Sequence, residues 1–434
     1  MNIVLIELLG LAIFAHILQA NYKIPSPLTL IASVLIIKFV GYDFFKIDSH
    51  SFDNLVLVCL PLLIAGDALK LHWSDIRQHA FSLFWVAVVV VVLSIFTGAL
   101  LNKYILFDHQ LSFAAITLLF CMLCATDPVT VSAVFSNFKI PHELKVITEG
   151  ESLFNDATAL IIFSFALLAL SSPTSSVALS DIALKSLSVI GGAIFIGLLC
   201  GYLCVFCLKL SSVALVEASF LLFFSYVSYS WAEHYHFSGI LAIIICLLLA
   251  NKKIQDILTL DESNLDAAKS RVSTFTFLDN AITSRANHQA IITSIDFVSM
   301  IAATALFVSV AVIVDFHQVR LYWREILALF AATTIIRAVM MTKFALLSHQ
   351  VGFMHNIKTH WLGVLTFSGS KGALSVLMVH MIPNHFMHKK MFETIVIGNI
   401  VLSTVVYALI LYLIMVFHKT RFEQEMQQEN ASTP

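Results

Sequence analysis

Long apolar stretches, separated by short polar clusters, dominate the sequence. Thirteen such stretches can be distinguished, and most approach the roughly 20 residues that an α-helix needs to cross a bilayer. They cover residues 3–20, 25–41, 53–69, 80–101, 111–134, 146–170, 182–208, 213–232, 238–250, 288–314, 323–346, 359–383 and 391–417. The pattern predicts an all-α polytopic membrane protein with about 13 transmembrane helices. The first stretch has no small-residue cleavage site, so we interpret it as a retained helix.

The composition excludes a chain of ordinary soluble domains. Of the 434 residues, 59% are hydrophobic and 12% are charged, whereas soluble domains carry about 25% charged residues. The formal net charge of −2 argues against nucleic acid as a partner. The sequence has no glycine-rich phosphate loop, so neither a nucleotide partner nor an ATP-driven pump is expected. Almost all of the seven cysteines fall in apolar stretches and are interpreted as packing residues.

Basic residues are distributed unevenly between the loops. If the thirteen segments alternate in direction, fifteen lysines and arginines lie in loops on one side and seven on the other. The positive-inside rule then places the N-terminus outside and the C-terminus in the cytoplasm of a cell membrane, which we take to be a bacterial inner membrane. Residues 251–287 form the longest loop, with room for a short surface helix. Residues 419–434 form a short polar cytoplasmic tail.

Several charged residues lie inside the predicted helices, where an ionised group costs at least about 2.5–3.5 kcal/mol on insertion scales. Lys38 is close to the end of its segment, so we interpret its side chain as reaching the membrane interface. The others are candidates for a functional site. They are Asp127, Glu149, Glu151, Asp156, Arg337 and Lys371.

The fifth segment contains Thr126-Asp127-Pro128 near its middle. Proline lacks a backbone donor, and the residue before it avoids the helical conformation. The tripeptide therefore predicts a helix broken at Asp127, with freed carbonyl groups that can face a cation. A simple proline kink, with Asp127 hydrogen-bonded to a neighbour, is the alternative interpretation.

The sixth segment carries oxygen-bearing side chains at helical spacing. Ser152 and Asp156 are four residues apart and Asn155 lies three residues after Ser152, while Glu151 and Asn155 form a neighbouring i, i+4 pair. One face of the helix thus offers a carboxylate, a hydroxyl and an amide oxygen, which are ligand types that hard cations prefer. The alternative is a polar patch that only holds helices together.

Charge arithmetic links these acids to basic residues later in the chain. Asp127, Glu151 and Asp156 give −3, and Arg337 and Lys371 give +2, which leaves one negative charge for one monovalent cation or one proton. We hypothesise that Arg337 neutralises Glu151 and that Asp156 is the exchangeable carboxylate. Serines and glycines around Lys371, over residues 368–372, predict a second interrupted helix.

These motifs together resemble the monovalent cation:proton antiporter superfamily, in its sodium/proton exchanger branch. The resemblance covers essentially the whole membrane chain. It is carried, in the expected order, by residues 125–129 (ATDPV), 149–156 (EGESLFND), 238–242 (SGILA), Arg337 and 369–373 (GSKGA).

The resemblance implies an inverted-repeat antiporter fold. In that fold, repeat one covers residues 1–170, a linker helix 182–208 and repeat two 213–418, all within one transmembrane domain. The fifth and twelfth segments would be crossed, broken helices, and the protein would be a homodimer in the lipid bilayer without a cofactor.

The resemblance also implies roles for individual residues. Asp156 would bind the transported cation and the proton, with Ser152 as a second ligand of Na⁺. Asn155, Thr126 and Asp127 would shape the site, and Arg337 would pair with Glu151. The asparagine before Asp156 is typical of the electroneutral branch.

Two positions depart from the family pattern. The family usually has arginine where Lys371 stands, and lysine keeps the charge but lacks the planar fork. The third segment usually offers a glutamate, whereas Gly66 aligns best here and Asp67 follows it. Lys371 and Asp67 are therefore supporting candidates.

The predicted function is secondary antiport, in which a monovalent cation, foremost Na⁺, is exchanged for H⁺. The predicted physiological role is pH homeostasis. Competition at Asp156 would couple the two fluxes, because one carboxylate binds a cation or a proton but not both. A K⁺/H⁺ antiporter and a passive cation channel are the alternatives. An enzyme is not expected, since no convincing nucleophile–base or metal set is present.

Overall fold

The computed structural model describes residues 2–22, 24–41, 49–105, 111–171, 179–211, 213–264, 285–348, 357–383 and 385–432. Within these ranges the chain is helical, and they contain no β-strand. The predicted all-α fold is confirmed.

The first half of the described chain forms eleven α-helices, and α4 runs into α5 through a π-helical stretch, Trp85–Val90. They are α1 (Asn2–Tyr22), α2 (Ser26–Phe39), α3 (Ser49–Lys70), α4 (Trp73–Phe84), α5 (Val91–Ile105), α6 (Phe113–Cys124), α7 (Pro128–Phe135), α8 (His142–Ser171), α9 (Leu179–Leu208), α10 (Ala214–His234) and α11 (Gly239–Asn264).

Seven further helices follow in the described part after residue 284. They are α12 (Arg285–Ile313), α13 (Phe316–Leu321), α14 (Trp323–Ser348), α15 (Trp361–Phe367), α16 (Ala373–Met381), α17 (Lys389–Phe417) and α18 (Lys419–Ser432).

Each of the thirteen predicted segments coincides with helix. Eight helical stretches in the described chain are long and apolar enough to cross a membrane, and α1 and α2 contain shorter apolar helices. The segments predicted at 111–134 and 359–383 are each divided into two helices, α6 with α7 and α15 with α16. The chain is therefore a multi-pass membrane protein.

The predicted loop 251–287 is helical in its first part, because α11 continues to Asn264. Residues 265–284 lie outside the described ranges.

The chain divides into two compact units. The first comprises residues 1–56, 79–177 and 303–434, and the second comprises residues 57–78 and 178–302. The division into repeats at 1–170 and 213–418 stays a prediction.

In the second unit, close helix packing depends on two glycines of α9. A Cβ atom on Gly197 would lie 2.7 Å from the Ala242 carbonyl oxygen, and one on Gly201 would lie 3.0 Å from that of Cys246. Small residues four positions apart let helix backbones approach closely, which is a common way to pack helices in lipid.

Two polar side chains complete helix ends. In the first unit the Lys38 ammonium donates to the carbonyls of Val312, at 2.7 Å, and Val314, where α12 ends. In the second unit the Asn251 amide donates to the carbonyls of Leu69 and Leu71, where α3 ends. These carbonyls have no partner within their own helices, so each side chain supplies a missing hydrogen bond. Lys38 thus caps a helix, and its position at the membrane interface stays a prediction.

Candidate ion-binding site

Two helix breaks meet in the first compact unit. Helix α6 ends at Cys124, and α7 begins at Pro128 with Asp127 as its N-cap. Ala125 and Asp127, between the two helices, have extended backbones. The second break, residues 368–372, separates α15 from α16. The Asp127 backbone N–H donates to the Ser370 carbonyl at 2.7 Å. A Cβ atom on Gly372 would lie only 2.4 Å from that of Asp127, so glycine is required for this approach.

The first break faces the polar side of α8, and Thr126 connects the two. Its hydroxyl donates to Ser152 Oγ at 3.1 Å and accepts from Asn155 Nδ2 at 2.7 Å. The Ser152 hydroxyl in turn donates to the Thr126 carbonyl at 2.9 Å. Thr126, Ser152 and Asn155 are all buried. Helical spacing on α8 places Ser152 and Asn155 on one face, as the sequence predicts.

Asp156 and Asp127 are half-buried on either side of this network. Asp156 Oδ1 accepts from the Thr126 backbone N–H at 3.2 Å. Asp127 Oδ1 accepts from the backbone N–H of Val129 at 3.2 Å and so caps α7. The two carboxylates therefore bracket the break between α6 and α7.

Asn155 supplies an oxygen that the described protein groups leave without a hydrogen bond. Its amide nitrogen donates to Thr126 Oγ1 and to Glu151 Oε1, the latter at 3.1 Å. Its carbonyl oxygen Oδ1 is buried and has no hydrogen-bond partner among the described residues. An unpaired buried carbonyl oxygen is unfavourable, and a bound cation or ordered water would satisfy it. This carbonyl oxygen, the Asp156 carboxylate and the hydroxyls of Thr126 and Ser152 are oxygen ligands of the types that hard cations prefer.

Arg337 of α14 contacts two parts of this region. Its Nη1 and Nη2 donate to the two carboxylate oxygens of Glu151 at 2.9 and 2.7 Å. The same guanidinium donates to the carbonyls of Leu365 and Thr366, at 3.0–3.1 Å, and to Ser368 Oγ at 3.3 Å. Arg337 thus neutralises a buried carboxylate and satisfies the last carbonyls of α15.

The remaining predicted charges occupy different surroundings. Lys371 is buried, and its backbone N–H donates to Ser403 Oγ at 3.0 Å. Its ammonium has no ion pair with any described residue and, together with Arg337, lines a cavity of about 20 Å³, which is room for one water. Asp67 lies in the second unit, 3.4 Å from the Lys70 ammonium. Glu149 accepts from Ser132 Oγ at 3.3 Å.

Three contributors to the site carry no strong signal in the sequence. The Ser370 carbonyl, the Ser403 hydroxyl and the carbonyls at the end of α15 are ordinary groups whose roles depend on which helices cross. The serines and glycines of residues 368–372 indicate an interruption but not its partner. All seven cysteines are free, in agreement with a packing role.

Comparison with known proteins identifies the family. The model of the family described as "Sodium/hydrogen exchanger, transmembrane" matches residues 3–416. The chain belongs to this family. The resemblance inferred from the sequence motifs is therefore confirmed.

Individual members of the exchanger family align over part of their length. The Na⁺/H⁺ antiporter ApNhaP of Aphanothece halophytica is 29% identical over 251 residues, which is 57% of this chain and 47% of that protein. The Na⁺/H⁺ antiporter NhaH of Halobacillus dabanensis is 32% identical over 204 residues, or 44% of this chain and 47% of that protein. The chain thus spans about half the length of these relatives.

A solved structure shares the fold. The sodium proton antiporter MjNhaP1 of Methanocaldococcus jannaschii superimposes with a TM-score of 0.71 at 17% sequence identity, covering 95% of this chain and 98% of that one. This likeness supports the predicted antiporter fold for the exchanger chain.

Replacing Arg337 by methionine should destabilise the protein, because Glu151 would remain buried without its cationic partner. We expect a loss of about 3–5 kcal/mol, measured as a lower unfolding temperature in detergent. The double variant Arg337→Met/Glu151→Gln should recover much of this loss.

The matched control is Arg324→Met, the same change at an exposed position of the same helix. It should change stability by no more than about 0.5 kcal/mol. An Arg337→Met protein that unfolds at the wild-type temperature would show that the contact with Glu151 contributes little.

Proposed function

We propose that this chain is a secondary transporter that exchanges a monovalent cation, foremost Na⁺, for H⁺. The observation that carries the proposal is the donor set at the first helix break. There the buried Asn155 Oδ1, without a hydrogen bond among described groups, accompanies the Asp156 carboxylate and the hydroxyls of Thr126 and Ser152. Membership of the sodium/hydrogen exchanger family supports it, as do relatives named Na⁺/H⁺ antiporters.

Competition at one carboxylate couples the two fluxes. Asp156 can hold a cation or a proton, and either of them cancels its charge. When a cation or a proton is bound, the site is neutral and can move through the low-dielectric interior, whereas an ionised carboxylate with nothing bound has a large desolvation cost there. Because a bound cation excludes a proton, and a bound proton excludes a cation, the site moves in one direction with a cation and returns with a proton.

The neighbouring residues have distinct roles in this mechanism. Thr126 and Ser152 hold each other through hydroxyl contacts and present further oxygens to the cation. Asp127 keeps α7 capped and, through its backbone N–H, holds the two breaks together. The Arg337–Glu151 pair has a structural role: the two charges neutralise each other and bind neither the cation nor the proton that is exchanged. Lys371 supplies positive charge nearby.

The same oxygens can serve Na⁺, Li⁺ and K⁺, because all three are hard cations. We propose Na⁺ as the transported cation because the relatives ApNhaP and NhaH are named Na⁺/H⁺ antiporters. K⁺ is the alternative. One cation against one proton moves no net charge, so the exchange is proposed to be electroneutral.

Asp156→Asn should abolish exchange without unfolding the protein. Asparagine keeps an oxygen that can accept from the Thr126 N–H, but it carries no negative charge and therefore neither binds a proton nor attracts a cation. The measurement is dequenching of a pH dye trapped in proteoliposomes, with Na⁺, Li⁺ and K⁺ added in turn. The variant should give the signal of empty liposomes, with the circular dichroism of wild type.

The control for this variant is Asp315→Asn, which replaces the N-cap of α13 by another good capping residue. It should exchange at the wild-type rate. Exchange at the normal rate by Asp156→Asn would refute the assignment, and cation flux without proton movement in the wild type would indicate a channel.

Electroneutrality predicts that membrane potential leaves the exchange rate unchanged. Potentials of either sign can be imposed on the proteoliposomes with a K⁺ gradient and valinomycin, with Na⁺ as the exchanged cation. Because a cycle that moves net charge is driven or opposed by the potential, a rate that depends on its sign would contradict a one-for-one exchange.

A further inference from the structure

An open cavity of about 630 Å³ lies within the second compact unit, between α4 and α11. One wall is the first part of α4, with Trp73 and Arg77. The other wall belongs to α11, with Lys252 and Asp256. A volume of this size falls in the range of ligand sites, about 300–1,000 Å³. None of the described residues that line the cavity belongs to the candidate ion site.

The two walls are held in place by the fold of the second unit. The Asn251 amide, one residue before Lys252, is buried and donates to the carbonyls of Leu69 and Leu71 at 3.1 and 3.0 Å. The polar part of α11 is thereby fixed against the turn that leads into α4. Across the cavity, Lys252 Nζ lies 5.1 Å from the centre of the Trp73 ring, within range of a cation–π contact.

The cavity lies at a membrane surface. Helix α3 ends at Lys70 and α4 begins at Trp73, so only two residues separate two consecutive apolar segments. In α11 the apolar sequence ends at Ala250, and a polar stretch follows. Trp73 is 40% exposed, and tryptophan is enriched where a membrane meets water. The orientation predicted from the loop charges places this surface in the cytoplasm.

The cavity presents two cations that the protein leaves without an acidic partner. Neither Arg77 nor Lys252 has an ion pair with a described residue. Lys70, at the end of α3, differs from them, because its ammonium lies 3.4 Å from each of two carboxylates, those of Asp67 and Asp296. The lining contains two basic side chains and one acidic side chain, that of Asp256, and therefore has a net charge of +1.

We propose that this cavity binds the headgroup of an anionic phospholipid, with its phosphodiester between Arg77 and Lys252. The planar guanidinium of an arginine can donate two parallel hydrogen bonds to a phosphate, and a lysine adds a point charge. The start of α4 also directs the positive end of the helix dipole toward the cavity. Trp73 contacts the lipid where the headgroup joins the acyl chains.

The charge of the lining favours a lipid over a soluble phosphate compound. A phosphodiester carries one negative charge, which the net charge of +1 neutralises, whereas a phosphate monoester carries about −1.5 to −2 at pH 7. Anionic lipids are also concentrated in the cytoplasmic leaflet and attract basic residues close to the membrane. A single headgroup that contacts both walls should stabilise the second unit, because it binds only the folded protein.

Native mass spectrometry of the full-length protein in detergent tests the site without a transport assay. Phosphatidylglycerol is titrated and the bound lipids are counted, with zwitterionic phosphatidylcholine in a parallel series. The wild type should bind one phosphatidylglycerol more tightly than any phosphatidylcholine. Arg77→Gln and Lys252→Gln should each weaken this binding about fivefold, the effect of one basic residue at a membrane surface. Asp256→Asn should strengthen it, because the lining loses its negative charge.

The matched control is Lys253→Gln. It removes the same charge from the next residue of α11, which is exposed and does not line the cavity. This variant should bind phosphatidylglycerol within about twofold of the wild type. In detergent without added lipid, Arg77→Gln should unfold at the wild-type temperature, since Arg77 has no ion pair with a described residue. Weaker lipid binding by that variant would then report the site rather than a loss of folding.

Two results would overturn the proposal. If Arg77→Gln and Lys252→Gln bind phosphatidylglycerol as tightly as Lys253→Gln does, the lipid does not occupy this cavity. If inorganic phosphate displaces phosphatidylglycerol from the wild type at equal concentration, the cavity is a site for a soluble phosphate compound and the lipid assignment is wrong. Neither result depends on cation exchange, so a failure here and a failure of the Asp156→Asn test would be separate findings.

Discussion

A largely buried guanidinium connects the parts of the molecule on which the candidate site depends. Arg337 pairs through two nitrogens with Glu151 and also satisfies the carbonyls at the end of α15. In a low-dielectric interior a charge without such partners would be strongly destabilising, so these groups must remain together. The contact links α8, which carries Asp156, to the helix that leads into the second break.

The backbone groups that the first helix break exposes find hydrogen-bond partners in the second break and in α8. A helix interrupted within the membrane exposes backbone groups that lipid cannot satisfy. Here the Asp127 N–H meets the Ser370 carbonyl, and the Thr126 N–H and carbonyl meet Asp156 and Ser152 of α8. The buried Asn155 Oδ1, which has no hydrogen-bond partner among the described residues, is left as the oxygen that we propose for the ion. The interrupted helix and the candidate ion site thus share one network of hydrogen bonds.

Local chemistry made much of this arrangement predictable. Pro128 lacks a donor and constrains Asp127, so the first break falls between Cys124 and Pro128. Helical spacing placed Ser152, Asn155 and Asp156 together, and an arginine among apolar residues required an acidic partner. The predicted loop 251–287 was less accurate at its start, because α11 continues through a polar stretch to Asn264.

Other features depend on tertiary contacts that no local pattern contains. The partner of the Asp127 N–H follows from how two distant segments cross, and so does the role of Ser403 beside Lys371. Helix α18, in the predicted polar tail, was hidden by its composition, since a single phenylalanine gives no periodic signal. Its anchor becomes visible only when the buried Phe422 is seen among Trp361 and its neighbours.

If a cation and a proton exclude each other at the Asp156 carboxylate, binding of one must displace the other. Calorimetric titration of the solubilised protein with Na⁺, repeated in buffers of different ionisation enthalpy, counts the protons released per bound cation. Because a carboxylate ligand must lose its proton to bind a metal ion, proton release should approach about one proton per Na⁺ as the pH is lowered. Binding of Na⁺ with no proton release at any pH would contradict it.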